Sequence, residues 1–383
     1  MLRTPLLTVT LLCALAVPAS AHEAVQAVCS GHHPRVQVAI LLDTSNSMDG
    51  LIGQAKTELW RIVNEIARYQ RAGCAPDVEV GLYEYGKASI PAGEGYLRMV
   101  SPLTTNLDKI SEALFALQTN GGDEYCGMVI DRAVDGLAWS RDPDDYRAIF
   151  IAGNEPFTQG RVDYREAVAK ARKNGIAVNT IHCGGMDEGI AGKWKDGAEL
   201  GRGNFMAIDQ DVAQTSIATP YDAEIAQLGD KLSETYIGYG AGGKGKVAKE
   251  RQMAQDVNSK KAGGSASIER AMAKAKPVYQ AQDWDLVDAA KGGKAAPAKM
   301  AEAELPEEMK PMSAPQREAY VQGKAKDRET IQKKLAELDK QRRKFIEDAK
   351  AKSAAAGEKN TFDAAMRKTL KSQMSEKKFQ EAK

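Results

Sequence analysis

Residues 40–50 read ILLDTSNSMDG, and they bear on both the fold class and the position of a functional site. The preceding run, 35–42, is largely apolar and has the length of a strand covered on both faces of a sheet. It ends at Asp43, and hydroxyl and amide side chains follow at once. Asp43, Ser45 and Ser47 occupy alternate positions, so in a loop that curls over a strand end their side chains can point to one centre.

Segments with the composition of strands alternate with segments of helical spacing along the first half of the chain. The predicted strands are 35–42, 78–85, 96–100 at a sheet edge, 146–152, 176–181 and 204–208. The predicted helices between them are 51–69, 107–117, 129–139, 162–173 and 187–200. This alternation predicts a Rossmann-like, doubly wound α/β fold with a mostly parallel sheet and right-handed crossovers.

Three loops rich in oxygen-bearing side chains follow strand ends or lie beside them. They are residues 43–47, 122–124 (GDE) and 153–156 (GNEP). In open parallel sheets, ligands bind outside the carboxyl ends of the strands. Carboxylates, hydroxyls and an amide, without sulfur or imidazole, form a ligand set for a hard cation, Mg²⁺ first, with Ca²⁺ or Mn²⁺ as alternatives. Taken singly, each loop is also typical of ordinary turns and helix caps.

In order and content these motifs resemble the von Willebrand factor A family. Asp43-x-Ser45-x-Ser47 matches that family's metal-ion-dependent adhesion motif, and LLDTSNSM, GGDEYCGMVIDRA, FIAGNEPF and GIAVNTIHCG follow in the family's order. The resemblance covers residues 34–215. It implies an open position on the metal that an acidic side chain of a protein partner fills. The implied metal ligands are Asp43, Ser45, Ser47, Asp123 and Asn154.

Two positions depart from the usual pattern of that family. Asp123 stands where the family commonly has a threonine ligand, and Asn154 stands where it commonly has an aspartate. Two carboxylates, those of Asp43 and Asp123, would still face the metal. The alternatives for the threonine role are Thr105 and Thr119, and the residues that we expect to cap or support the loops instead of binding metal are Glu124 and Glu155.

The first 21 of the 383 residues have the features of a secretory signal peptide. Arg3 precedes an apolar stretch at 6–17, and the small residues 19–21 (ASA) fit a cleavage site. The apolar stretch is shorter than the roughly 20 residues that a spanning helix needs. The chain contains no Asn-x-Ser/Thr sequence, so we expect export to a bacterial periplasm.

Four cysteines remain after the predicted cleavage, an even number that suggests two disulfides in an exported protein. Cys29 and Cys74 precede the first two strands, and Cys126 and Cys183 lie near the opposite sheet edge. We therefore expect the pairs Cys29–Cys74 and Cys126–Cys183.

A catalytic alternative centres on Cys126 and His182. A thiol near a helix start tends to have a lowered pKa, and a histidine within reach would make a Cys/His hydrolase or a redox centre. No recognisable nucleophile motif surrounds Cys126, so the sequence favours a non-enzymatic binding function.

The second half of the chain has a different composition. Residues 241–383 contain 32 Lys and Arg against 21 Asp and Glu, whereas the chain as a whole carries a net charge of only +1. We predict a helix at 219–237, flexible linkers at 238–312 with a short compact island around Trp284, and a basic, partly disordered helical tail at 313–383.

Two apolar stripes in the tail have helical spacing. The first covers about two heptads, fewer than the three or four that establish a coiled coil; its members are Ile331, Leu335, Leu338, Arg342 and Phe345. The second comprises Phe362, Met366, Leu370 and Met374. The tail could pack on the acidic first half, bind an anionic surface, or serve as a solvated spacer. It lacks the interleaved aromatic residues that bind nucleic acid, so we expect no such partner.

Overall fold

The structure is a computed structural model that describes residues 33–209, 216–263, 265–352 and 362–382. At its centre is a six-stranded sheet with the order β4-β3-β1-β5-β6-β7. The sheet is parallel except for the edge strand β4, which is antiparallel to β3. Its strands are β1 Arg35–Asp43, β3 Asp77–Tyr85, β4 Arg98–Thr104, β5 Tyr146–Gly153, β6 Ala177–Cys183 and β7 Phe205–Ile208. The predicted Rossmann-like α/β fold is confirmed.

Alternate residues of β1 pack into two separate cores, one on each face of the sheet. Val36, Val38, Ile40 and Leu42 belong to the first core. Ala39 and Leu41 belong to the second. Both faces of β1 are therefore covered, which explains why its sequence is a nearly continuous apolar run.

Helices cover the two faces of the sheet unequally. The first half of the chain contributes α1 Asp49–Ile66, α2 Leu107–Ala116, α3 Cys126–Gly136, α4 Tyr164–Lys173, α5 Met186–Ala191 and α6 Trp194–Leu200. Helices α1 and α2 pack on the first face. Helices α3, α4 and α6 pack on the second. The single helix predicted at 187–200 is two helices, because Lys193 adopts a left-handed conformation with φ of 70° between them.

Residues 238–312 are not the flexible linkers that their glycines and lysines predicted. They contain the helices α8 Lys244–Ala262, α9 Ala266–Lys274 and α10 Leu286–Lys291, which follow α7 Asp222–Ser233. The glycines mark the turns instead: Gly243 and Gly263, at the two ends of α8, have φ of 77° and 75°. The predicted island around Trp284 is present, because Trp284 is buried in the first core.

The tail forms two further helices that belong to the same packed unit. They are α11 Ala314–Lys352 and α12 Phe362–Glu376. The predicted stripe of α12 is buried throughout and covers the first face of the sheet beside α1. In α11, Leu335 and Leu338 enter the same core. This first stripe, too short to establish a coiled coil, therefore packs against the protein's own helices.

Ion pairs join the basic second half to the acidic first half. The guanidinium of Arg270, in α9, lies 2.6 Å from the Asp108 carboxylate of α2. Arg342, in α11, lies 2.9 Å from Asp222 of α7. Both arginines are buried. Of the three interpretations of the tail, packing within the molecule is therefore the one that these contacts support.

A short antiparallel pair joins two distant parts of the chain. Strand β2 (Tyr69–Gln70) follows α1 and pairs with β8 (Gln380–Glu381). Nearby, Cys74 is disulfide-bonded. Its predicted partner Cys29 and the predicted signal peptide lie outside the described residues. Within the described ranges, no helix is both long and apolar enough to cross a lipid bilayer.

Candidate metal site

The candidate site lies where the strand order of the sheet reverses. Strand β1 is central, and the chain builds outward from it through β3 on one side and β5 on the other. Asp43 is the last residue of β1, paired in register with Tyr85 at the end of β3. Ligands in open α/β sheets bind in the crevice at such a switch point.

The loop after β1 is held by its own backbone and by β3. The Asp43 Oδ1 atom accepts a hydrogen bond of 2.7 Å from the Ser45 amide. The Thr44 amide donates to the Tyr85 carbonyl at 2.8 Å. Ser45 Oγ and Ser47 Oγ then lie 3.2 Å apart. The two hydroxyls therefore face the same point, as their alternate spacing predicted.

The loop after β5 meets the first loop through Asn154. Its Nδ2 atom donates to Ser47 Oγ at 3.2 Å. The amide oxygen of Asn154 is buried and has no hydrogen-bond partner. Because the nitrogen is engaged by the serine, the oxygen is the free end of this amide. The structure thus brings together two of the three predicted loops.

In the second loop, Glu124 and not Asp123 reaches the site. The Asp123 side chain is exposed, and its Oδ2 atom accepts a hydrogen bond of 3.1 Å from the Tyr125 hydroxyl. The Glu124 side chain is buried against Asp43. The Asn120 amide donates to the Thr44 carbonyl at 2.8 Å, which fixes this loop to the first. The structure therefore places the side chain of Glu124, and not that of the predicted ligand Asp123, beside Asp43, although the sequence predicts a supporting role for Glu124.

A glycine on the third side leaves room for the two carboxylates. Gly86 follows β3 with φ of 76°. A Cβ atom at this position would lie 2.6 Å from Asp43 Oδ1 and 2.9 Å from Glu124 Cγ. The positive φ and the close approach both require glycine here. Gly86 is not among the predicted site residues. A glycine directly after a strand nevertheless often marks a place where another group approaches the backbone closely.

The two buried carboxyl groups perturb each other. Burial and, after it, the neighbouring Asp43 together raise the pKa of Glu124 to about 9. Burial also raises the pKa of Asp43, against the hydrogen bonds that the Glu124 carboxyl and the Ser45 amide supply. Two carboxylates in one buried site repel each other unless a proton or a cation lies between them. A cation placed between the Asp43 and Glu124 carboxylates would therefore be strongly stabilised by both negative charges.

Three buried oxygen atoms at this centre lack a hydrogen-bond donor: Asp43 Oδ2, Glu124 Oε2 and Asn154 Oδ1. Unsatisfied buried acceptors are costly, and a group of them in one place calls for an explanation. Two carboxylates, an amide oxygen and two hydroxyls fit the oxygen ligation of Mg²⁺, Mn²⁺ or Ca²⁺. Among the residues described, no cluster of three or more His, Cys, Asp or Glu side chains could hold a metal, so any cation here depends on the neutral oxygens.

The remaining candidates for this site have other roles. Thr119 Oγ1 donates to Asp49 Oδ1 at 2.6 Å, at the start of α1. The Glu155 carboxylate accepts from Gln159 Nε2 at 3.1 Å, and its carbonyl accepts from Trp194 Nε1 at 2.8 Å. Glu155 thus supports the third loop, in line with its predicted role. No contact places Thr105 at the site.

The predicted disulfide Cys126–Cys183 is wrong. Both cysteines are free and buried. Cys183 lies in the core of the first face and Cys126 in the core of the second. Cys126 Sγ lies 3.9 Å from the Tyr85 hydroxyl, which itself donates to the Ala152 carbonyl of β5. The two thiols therefore lie on opposite faces of the sheet and are not bonded to each other.

Among the described residues no contact joins Cys126 to His182: the Cys126 thiol contacts the Tyr85 hydroxyl, and both ring nitrogens of His182 lack hydrogen-bond partners. His182 lies on β6, and its ring packs 5.6 Å from the Trp194 ring. Burial raises the pKa of the Cys126 thiol and lowers the pKa of His182. Burial therefore favours the neutral thiol of Cys126, whereas nucleophilic attack requires the thiolate.

Comparison with known families assigns the sheet domain. Residues 37–192 match the von Willebrand factor type A domain. The chain carries an A domain. The matched span begins in β1 and ends just after α5, so it includes all three loops of the candidate site. A comparison with curated proteins gave no match.

Several solved structures are similar to the A domain at low sequence identity. The conserved hypothetical protein BatB from Bacteroides thetaiotaomicron is 19% identical, covers 45% of this chain and 90% of its own, and has a TM-score of 0.35. The SpRpn10 VWA domain is 19% identical, with 45% and 88% covered and a TM-score of 0.34. Proximal thread matrix protein 1 from the mussel byssus, solved with a zinc-occupied MIDAS motif, is 13% identical, with 46% and 42% covered and a TM-score of 0.35.

Proposed function

We propose that the A domain binds one divalent cation between the loops at the carboxyl edge of its sheet and uses it to hold a protein partner. The ligands in this proposal are Asp43, Ser45, Ser47, Glu124 and Asn154. The observation that carries it is the set of three buried oxygen acceptors without donors. A cation would satisfy all three and would neutralise the repulsion between the two carboxylates.

The exposed side of the site suggests how a partner would bind. Ser47 is exposed and Asn154 is half-buried, whereas Asp43 lies at the bottom with no exposed surface. Charge therefore approaches the cation from inside the domain, and Ser47 lies on the side that faces solvent. A cation held in this way keeps an open position towards solvent, which an acidic side chain of a partner protein can fill. Mg²⁺ is the expected ion, since its site commonly combines one or two carboxylates with neutral oxygens.

Adjacent residues provide a matched test of the ligand set. We expect Glu124→Gln to weaken Mg²⁺ or Mn²⁺ binding at least about tenfold, because a carboxylate ligand is lost from a buried site. Asp123→Asn, one residue earlier, removes the same charge from the surface and should leave the affinity within about twofold. Isothermal titration calorimetry on chelator-treated protein measures both. Equal binding by Glu124→Gln and the wild type would contradict the proposal.

The partner function has its own readout. The wild-type protein, immobilised, should retain proteins from an extract of its host in the presence of Mg²⁺, and a chelator should release them. The Glu124→Gln protein should retain none of the chelator-sensitive set, whereas Asp123→Asn should retain it. Retention that is the same with and without chelator would remove the cation from the interaction.

We also propose that the protein acts after export, most simply in a periplasm. The support is the predicted signal at residues 1–21 and the disulfide at Cys74, since disulfides persist in oxidising compartments. The mature protein should begin at His22, which mass spectrometry of the protein purified from its host would show. A mature protein that retains residues 1–21 would contradict the predicted cleavage.

A further inference from the structure

Two tyrosines from different loops pack against each other beside the candidate metal site. Tyr96 lies in the loop between β3 and β4, and Tyr125 lies between Glu124 and the start of α3. Their ring centroids are 5.6 Å apart and their planes meet at 66°, which is the edge-to-face geometry that aromatic pairs favour. Both side chains are half-buried, so part of this tyrosine pair faces solvent. An ordered aromatic surface next to a binding site is a candidate contact for what binds there.

The backbone joins the tyrosine pair to the loops of the site. A Cβ atom on Gly160, in the loop after β5, would lie 2.7 Å from Tyr125 Cγ, so the ring lies on this loop. The Tyr96 carbonyl accepts a hydrogen bond of 3.2 Å from the Lys87 amide. Lys87 directly follows Gly86, whose backbone lies against the two buried carboxyl groups. The pair is therefore continuous with the surface that a partner of the cation would approach.

The backbone of Tyr96 is strained. Its φ of 56° lies in the left-handed region, which is unfavourable for a bulky side chain. Gly95 before it has φ of 77°, and a Cβ atom there would collide with Met128 Sδ of α3. Glycine at position 96 would adopt the same backbone without this penalty. The chain has a tyrosine where the backbone favours glycine, and strain of this kind points to a function for the ring.

The charges near the pair indicate what the rings would recognise. The Tyr125 hydroxyl donates to Asp123 Oδ2 at 3.1 Å. Asp123 and Arg161, which have opposite charges, both interact electrostatically with this hydroxyl. Their charges compensate each other, so they favour neither an acidic nor a basic group. The exposed parts of the two rings instead suit a flat apolar group, either an aromatic ring or a proline.

We propose that Tyr96 and Tyr125 form a second contact for the partner whose acidic side chain reaches the cation, and that this contact holds an aromatic or proline residue of the partner. This inference rests on the proposed function and specifies the chemistry of the partner. The two partner residues would lie within about three positions of each other, since three extended residues span about 10 Å. Tyrosine suits such a contact because it offers a large area with few rotatable bonds.

Selection from a phage-displayed library of random peptides tests the proposed partner chemistry. The immobilised protein is incubated with the library in Mg²⁺, and the bound phage are eluted with a chelator. We expect the eluted peptides to contain Asp or Glu with Tyr, Phe, Trp or Pro within three positions. The Glu124→Gln protein should yield no chelator-eluted peptides. A synthetic copy of one selected peptide is then the probe for affinity measurements.

Variants of the two tyrosines test the contact itself. Tyr96→Gly and Tyr125→Ala should weaken binding of the selected peptide at least about fivefold, as loss of a central interface tyrosine does. Tyr125→Phe, which retains the ring, and Tyr320→Ala, which removes a half-buried tyrosine of α11, should stay within about twofold. The Mg²⁺ affinity of Tyr96→Gly should not change. Its melting temperature should change little, because glycine relieves the strained backbone and offsets the lost ring contact.

The possible failures are distinguishable. Selected peptides that contain an acidic residue without a nearby aromatic residue or proline would overturn the tyrosine contact and leave cation-dependent binding intact. Unchanged peptide affinity in Tyr96→Gly and Tyr125→Ala would do the same. If both variants lost Mg²⁺ affinity by the same factor as peptide affinity, the tyrosines would support the loops and would not contact the partner. A wild type that yields no chelator-eluted peptides would overturn the partner function and this inference together.

Discussion

Lys274 is a buried cation whose environment ties the stability of the protein to pH. Its ammonium lies 3.0 Å from both oxygens of Asp256 and 2.6 Å from Ser233 Oγ. Burial lowers its pKa from 10.5 to about 8, although Asp256 opposes the shift. The positive charge of Arg270 acts in the same direction as burial. The folded protein therefore releases this proton at a lower pH than the unfolded chain does.

This difference sets the sign of a pH effect. Between about pH 8 and pH 10 the unfolded chain holds a proton on Lys274 that the folded protein has lost, so stability rises with pH. We expect the free energy of unfolding of the wild type to rise by about 2 kcal/mol over this interval relative to Lys274→Met. Urea titrations at several pH values measure the difference. The exposed control Lys333→Met should track the wild type, and parallel curves for wild type and Lys274→Met would refute the assignment.

The candidate metal site shows which side-chain positions a sequence can predict and which it cannot. Asp43, Ser45 and Ser47 were predictable because a strand end fixes where their side chains start and alternate spacing fixes their direction. Asp123 and Glu124 are adjacent carboxylates in a loop, and adjacent side chains there point to different sides. Nothing in their order indicates which one turns inward. The choice is made by packing: Tyr125 holds Asp123 at the surface, and Gly86 leaves space for Glu124.

At the scale of elements, α12 shows that the tail is part of the core. Its residues Phe362, Met366, Leu370 and Met374 are at most 1% exposed. The helix lies against α1 and against β6 and β7. Without it, the first face of the sheet would expose apolar side chains to water at a cost of about 25 cal/mol per Å². The predicted 4-4-4 spacing identified the buried stripe correctly, but not what it packs against.

Replacing one buried side chain of α12 by alanine measures how much the packing of this helix contributes to stability. Leu370→Ala should lower the free energy of unfolding by about 2–4 kcal/mol, because it leaves a cavity where the side chain is fully buried. Lys368→Ala, on the exposed side of the same helix, should change it by less than about 0.5 kcal/mol. Chemical denaturation followed by circular dichroism compares the two variants. A loss at Leu370 no larger than the loss at Lys368 would mean that α12 does not belong to the cooperative core.

Helix α8 marks the limit of prediction from hydrophobic periodicity. That method assumes that the apolar face of a helix turns inward. Here Gln255 and Ser259 turn inward and Met253 turns outward, so the segment gives no helical signal and its glycines dominate the interpretation. The buried ion pair on its inner side joins Asp108 of α2 to Arg270 of α9, more than a hundred residues apart in sequence. A pattern within residues 244–262 alone therefore cannot reveal this packing.

At the scale of the whole molecule, basic side chains of residues 241–383 form ion pairs with acidic side chains of the first half of the chain. The described ion pairs connect α2 to α9 and α7 to α11 across the two halves of the chain. Breaking a buried pair of this kind by removing one partner is strongly destabilising. The boundary that composition suggested near residue 240 is therefore not a boundary between independent units. The sheet and its order were predictable from alternating segments, whereas this joint core required contacts that only the folded chain makes.

The late position of α12 in the chain has a consequence for synthesis. The strands of the six-stranded sheet are complete at residue 208, but α12, which covers part of the first face, begins at residue 362. At 5–20 residues per second, roughly 8 to 30 seconds separate the two on the ribosome. During that interval the apolar side chains on the first face of the sheet that pack against α12 stay exposed. The nascent polypeptide therefore cannot reach its final packed structure. A delay of this length leaves time for chaperones to bind the polypeptide before its last helix has been made.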